Sequence, residues 1–203
     1  KRQVRDGAYF VCTGGVSCGA QLRGAVEHYA SRHALDIEGL GDKTVRQLMD
    51  EGLIQDSIVD IYGLTVDKLV PLERFGKKKA ENLVGAIMAR KDTTLARFIY
   101  ALGIRHVGEH VAEVLSREFG DIGTLMEADF DRLLAVYEIG PGSAESIVAF
   151  FDEPHNCSVI KGLLAAGVAP RVEDRQEFFG GKRFVITGSL DHWSRDEVVT
   201  ILE

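Results

Sequence analysis

Gly41, Gly76, Gly108 and Gly140 recur at spacings of 35, 32 and 32 residues in one local setting, and Cys12 and Cys18 bracket a short loop near the N-terminus. An apolar residue precedes each glycine (Leu40, Phe75, Val107, Ile139), and another stands four before it (Ile37, Leu72, Ile104, Val136). Four residues after the glycine comes Val45, Ala80, Ala112 or Ala144, and seven after it Leu48, Leu83, Leu115 or Ile147. That spacing is the buried stripe of a helix, so each glycine is expected to open a helix. A helix start presents unpaired N–H groups and a partial positive charge. A turn residue without a side chain lets another backbone approach closely. Together these make a phosphate seat, which needs no net positive charge. Four seats at regular spacing suit a polymer of phosphates better than a single nucleotide. The thiolates of Cys12 and Cys18 offer the other chemistry. Alone, a pair with five intervening residues fits two free thiols slightly better than part of a metal site, whose usual knuckle has two to four.

The elements that must position these residues follow from the same periodicity. Leu95, Phe98, Ile99 and Leu102 mark a helix ahead of the third glycine, and Leu22, Val26 and Tyr29 one ahead of the first. The unit is helix, tight turn, helix, and its repetition predicts a mainly α array of four units. Residues 57–76 also align with 121–140 at an offset of 64, pairing Ile58 with Ile122, Leu69 with Leu133 and Leu72 with Val136. The four units are therefore expected to form two related pairs.

Composition sets outer bounds. Lys and Arg number 24 against 31 Asp and Glu, a formal charge of −7, so a uniform basic coat is excluded. No apolar run reaches the roughly 18 residues of a membrane span. Three cysteines make no disulfide framework, and Cys157 lies in a separate apolar, helix-like stretch with Val159, Ile160, Leu163 and Leu164. Glycine is abundant at 22 residues while proline is scarce at 4, so the glycines belong to particular turns rather than to loose linkers.

Each unit resembles a helix-hairpin-helix motif, whose core reads apolar-x-Gly-apolar-Gly with Ala four residues on. Ile37 to Gly41 carries both glycines, whereas Arg74, His106 and Glu138 replace the first glycine in the other units. The resemblance implies duplex-backbone binding without sequence readout, with Gly39, Gly41, Lys43, Gly76, Lys77, Lys78, Lys79, Gly108, His110, Gly140 and Gly142 as candidate contacts. Cationic first-turn lysines oppose the helix dipole, an objection that a bound phosphate removes.

The order of motifs is more specific than any one of them. Cys12 to Gln21, Ala34 to Gly41 and Ala96 to Arg105 together resemble the bacterial NAD-dependent DNA ligases. In that family a four-cysteine zinc finger leads into four helix-hairpin-helix units. The resemblance implies that Cys12 and Cys18 are the third and fourth ligands of a structural zinc, with the first two preceding Lys1. It divides the chain into the end of a zinc finger (1–21), the array (22–168), a linker (169–181) and the beginning of a BRCT domain (182–203). Lys182 to Gly188 would form the strand of that last piece, and Ser194 to Glu197 a capping box. The parent would seal 3′-OH/5′-phosphate nicks in replication and repair, using NAD and Mg²⁺. No Lys-x-Asp-Gly, P-loop or dinucleotide fingerprint occurs here, so no catalytic centre is expected in this chain. The expected partners are nicked double-stranded DNA and the remaining ligase domains of the same polypeptide. The expected setting is a cytoplasmic, nucleoid-associated monomer with no membrane contact. Two rival readings stay open: a structure-specific module of another repair protein, and a protein-interaction scaffold.

Overall fold

The computed structural model describes residues 2–3, 10–11 and 19–173. Cys12, Cys18, the BRCT-like stretch 182–203 and the linker from 174 onward lie outside the described residues. Near the N-terminus, β1 (Arg2–Gln3) pairs antiparallel with β2 (Phe10–Val11). Then α1 (Gly19–Ala30) begins, so the expected array boundary at 22 falls inside a helix that starts three residues earlier.

The four glycine-led helices form where expected. They are α2 (Asp42–Asp50), α4 (Lys77–Ala89), α6 (Glu109–Phe119) and α9 (Pro141–Phe151). Their stripes are buried as the spacing requires: Val45 and Leu48, Ala80, Leu83 and Ile87, Ala112 and Leu115, Ala144 and Ile147. A 3-10 helix (Ile58–Gly63) and α3 (Val66–Leu69) lead into the second hairpin. Helices α7 (Ile122–Met126) and α8 (Phe130–Leu134) lead into the fourth. The capping residues repeat at the offset of 64 seen in the sequence, Ser57 with Asp121 and Thr65 with Asp129. Helix α5 (Leu95–Ala101) precedes the third hairpin as α1 precedes the first.

Two elements outside the four hairpins close the structure, the first of them the helix-like stretch around Cys157. Helix α10 (Pro154–Ala165) returns against the 3-10 helix, where a Cβ on Gly162 would stand 3.0 Å from the Val59 side chain. Beyond it, β4 (Ala169–Arg171) pairs in parallel with β3 (Asp92–Thr94), the segment between the two hairpin pairs. Residues 169–171, linker-like in composition, are thus held in a ladder. One continuous core runs through the hairpins, from Leu22 and Val26 to Ile160 and Leu163.

Polar contacts fasten the first pair to the second. His28 Nε2 lies 2.8 Å from the Tyr100 carbonyl, which can only accept, so this nitrogen carries the proton. Arg97 donates to the carbonyls of Ala34 and Arg32 at 2.7 Å each. Within the first pair, the Tyr29 and Tyr62 hydroxyls meet at 2.8 Å, and burial raises both phenols, Tyr29 well above its ordinary range.

Candidate nucleic-acid interface

Each hairpin turns by the same backbone device. The N–H of the residue before the glycine bonds the carbonyl three residues back: Leu40 to Ile37, Phe75 to Leu72, Val107 to Ile104 and Ile139 to Val136, at 3.0 to 3.2 Å. The second central residue of each turn has positive φ: Gly39 at 87°, Arg74 at 59°, His106 at 64° and Glu138 at 73°. This is the signature of a type II turn, which favours glycine there. Only the first unit supplies one. The other three hold a side chain in the left-handed region, a strain of roughly 1–2 kcal/mol each. The turn geometry thus survives loss of the motif's first glycine.

The second glycine has no such internal reason. Gly41, Gly76, Gly108 and Gly140 have φ between −69° and −89° with extended ψ, a conformation open to any residue. A Cβ built on any of them meets nothing within 4 Å. By contrast, a Cβ on Gly39 would stand 3.6 Å from Leu83 of the neighbouring hairpin. Neither backbone strain nor packing within the chain demands glycine at the four helix starts.

Capping sharpens the contrast. The 3-10 helix, α5, α7, α8 and α10 each start on a residue whose side chain accepts a backbone N–H: Ser57, Thr94, Asp121, Asp129 and Glu153. Helices α2, α4, α6 and α9 start on the glycines and have no side-chain cap. Serine at such a position is worth only a few tenths of a kcal/mol more than glycine, so the loss is small. What is gained at α2, α4 and α6 is a set of first-turn amides open to an anion, whereas Pro141 at the start of α9 has no N–H and leaves that of Gly142.

The turns are paired in space. Gln47 of α2 donates to the Glu73 carbonyl of the second hairpin at 2.8 Å. Ser143 of α9 donates to the His106 carbonyl of the third hairpin at 3.3 Å. In return, His110 on the first turn of α6 pairs with Glu138 of the fourth turn. His33, in the loop after α1, reaches Glu109 at 3.1 Å, so the third helix start is flanked from both sides.

Comparisons with known proteins agree with this pairing. Residues 31–88 match the SAM-like helix-hairpin-helix tandem family, and residues 97–160 match the helix-hairpin-helix motif family. The two matches divide the chain into the pairs that the offset of 64 implies. The chain is 49% identical over 195 residues to a DNA ligase of Nitrosococcus oceani, covering 94% of this chain. It is 49% identical to a DNA ligase of Methylococcus capsulatus over 95% of this chain, and 47% identical to one of Geotalea uraniireducens over 93%. The chain belongs to the DNA ligase family. It spans 28% to 29% of the length of these relatives.

Within this ligase segment the basic candidates have different surroundings. Lys79 lies over the Phe75 ring, 4.0 Å from its centroid, while Lys77 stands 3.9 Å from Glu81. Lys43, Lys77 and Lys78 are exposed at the first turns of α2 and α4. Gly142, on the first turn of α9, has open space where its Cβ would be. Sequence reasoning passed over the protruding turn residues: Arg74, Arg105, His106 and Tyr137 are all exposed beside the glycines. Arg74 and His106 are visible in the sequence only as departures from the motif. Their left-handed φ is what places them on the tips. Among the described residues, no group of three or more His, Cys, Asp and Glu side chains could hold a metal, and no helix is long and apolar enough to cross a membrane.

Proposed function

We propose that this chain grips the sugar–phosphate backbone of duplex DNA without reading sequence, as the helix-hairpin-helix region of an NAD-dependent DNA ligase that seals 3′-OH/5′-phosphate nicks. The observation carrying this reading is the set of four uncapped helix starts at Gly41, Gly76, Gly108 and Gly140, with open space above each glycine. An approaching phosphate fills that space and accepts from the exposed amides. Arg74, Lys43, Lys77, Lys78 and Arg105 supply cations beside three of these positions. Contacts of this kind fix register and orientation and carry no base code.

For the parent enzyme, the array holds the nicked duplex so that its two ends stay in line, an orientation effect rather than acid–base catalysis. NAD supplies the parent's adenylyl group and Mg²⁺ assists its phosphoryl chemistry; this reading assigns neither to a residue of this chain. Cys12 and Cys18 are read as two thiolates of a structural zinc completed by further donors. Metal content should fall when Cys12 is changed to serine, and an unchanged zinc content would remove that assignment.

The decisive experiment is Gly41→Ser with Gly108→Ser. Serine caps the helix, so the unfolding midpoint should hold or rise, by a few tenths of a kcal/mol in stability. Its side chain also occupies the amides, so duplex affinity should fall by roughly tenfold per seat, the worth of a hydrogen bond to a charged group. Higher stability with unchanged affinity refutes the phosphate seats. Affinity for nicked duplex that stays weak and indifferent to salt would favour the interaction scaffold instead.

A further inference from the structure

Tyr137 is 87% exposed, whereas the other described tyrosines are packed. Tyr29 and Tyr62 share a hydroxyl contact, and Tyr100 packs at a tilt against His28 at 4.9 Å between ring centroids. Leaving an aromatic ring in water forfeits roughly 2 kcal/mol of burial. Its place in the fold is specific. Tyr137 is the first central residue of the fourth turn, the position held by Glu38, Glu73 and Arg105 in the other turns. Glu138, with φ of 73°, follows it.

The fourth hairpin is also the one least equipped for phosphate. Pro141 opens α9 and offers no N–H, and the first turn carries no lysine. Glu138 adds a carboxylate, although it is engaged with His110 of the third hairpin. The Ser143 to His106 bond and this pair put the fourth turn on the same edge of the molecule as the third helix start. A second exposed apolar side chain, Leu134 at 41%, stands three residues before Tyr137.

We propose that Tyr137 is a non-ionic positioning contact to DNA: its ring lies in a groove of the duplex against deoxyribose and base edges, with Leu134 extending the apolar surface. The proposal rests on the duplex-binding reading above and assigns the fourth hairpin a separate task within it. Amides and lysines hold charge but leave the array free to slide along a uniform phosphate track. An aromatic side chain in the groove contributes through van der Waals contact and desolvation, which do not release counterions. It therefore resists sliding without adding to the salt dependence.

The test measures duplex affinity of the whole chain against salt for Tyr137→Ala, Tyr137→Phe and the Gly41→Ser/Gly108→Ser pair. Tyr137→Ala should bind about tenfold more weakly at every salt concentration, within the range of an aromatic contact to a nucleotide. The slope of log affinity against log salt should stay at the wild-type value. Tyr137→Phe should restore most of the affinity, because the ring and not the hydroxyl makes the contact. Wild-type affinity in Tyr137→Ala overturns the proposal, as does a weakening that comes with a shallower slope. If the glycine pair weakens binding while Tyr137→Ala does not, only the role of Tyr137 fails. If neither does, the duplex-binding reading fails with it.

Discussion

Arg74 shows what one backbone angle requires of a side chain. It occupies the left-handed position of the second turn with φ of 59°, and its side chain is 88% exposed with a loose 3.4 Å pairing to Glu73. Arg74→Gly should therefore stabilise the fold by about 1 kcal/mol, read as a higher urea midpoint at unchanged m. It should weaken duplex binding at the same time, because a cation leaves the turn tip. Asp121 offers a test by acid. The Thr124 hydroxyl and backbone N–H hold its carboxyl below the ordinary range. A lowered folded-state pKa means that this stabilisation is full above the unfolded value of about 3.9 and disappears as pH falls through the folded value. Asp121→Asn keeps a capping oxygen and removes the titration, so stability below about pH 4 should fall less steeply than in the parent chain. At this scale the sequence was legible where a residue type has one use. The four capping glycines could be placed by spacing alone. The orientation of Lys79 over Phe75 could not, because a lysine stem reaches an aromatic face or a phosphate equally well.

At the scale of elements, the long helices were legible because their stripes extend over two or more turns. The 3-10 helix, α3, α7 and α8 were not separately legible, being too short for periodicity to register. Their start signals were nonetheless present, since Ser57, Asp121 and Asp129 are strong capping types. The packing of α10 was also hidden, because it depends on a glycine meeting a residue far away in sequence. Gly162 lets α10 approach Val59 of the 3-10 helix closely. Gly162→Leu should overpack this contact and cost about 1–3 kcal/mol by chemical denaturation. Adding Val59→Ala should recover part of that stability, because the two changes share one volume. Strictly additive effects in the double-mutant cycle would show that the helix accommodates the larger side chain elsewhere.

For the molecule as a whole, an acidic chain that binds DNA must confine its cations. The exposed ones beside the helix starts are few, with Lys43 at the first, Arg74, Lys77 and Lys78 around the second and Arg105 at the third. Lys77→Ala with Lys78→Ala should flatten the salt dependence by up to about 0.9 for each phosphate that the two lysines neutralise. Lys79→Ala should change the slope little, since its ammonium already has the Phe75 ring beneath it. The parallel strand pair has a consequence of a different kind. Asp92 aligns with Ala169 and Thr94 with Arg171, so this ladder joins segments separated by the whole second hairpin pair. Each hairpin can form from near neighbours in sequence, but the ladder cannot close until everything between its strands has collapsed. It should form after the folding barrier, and changes there should speed unfolding while leaving the folding rate alone. In the native state, the amides of Ala169 and Arg171 should exchange with solvent water sooner than those of α6 or α9. The last part of the fold to assemble would then be the first to open.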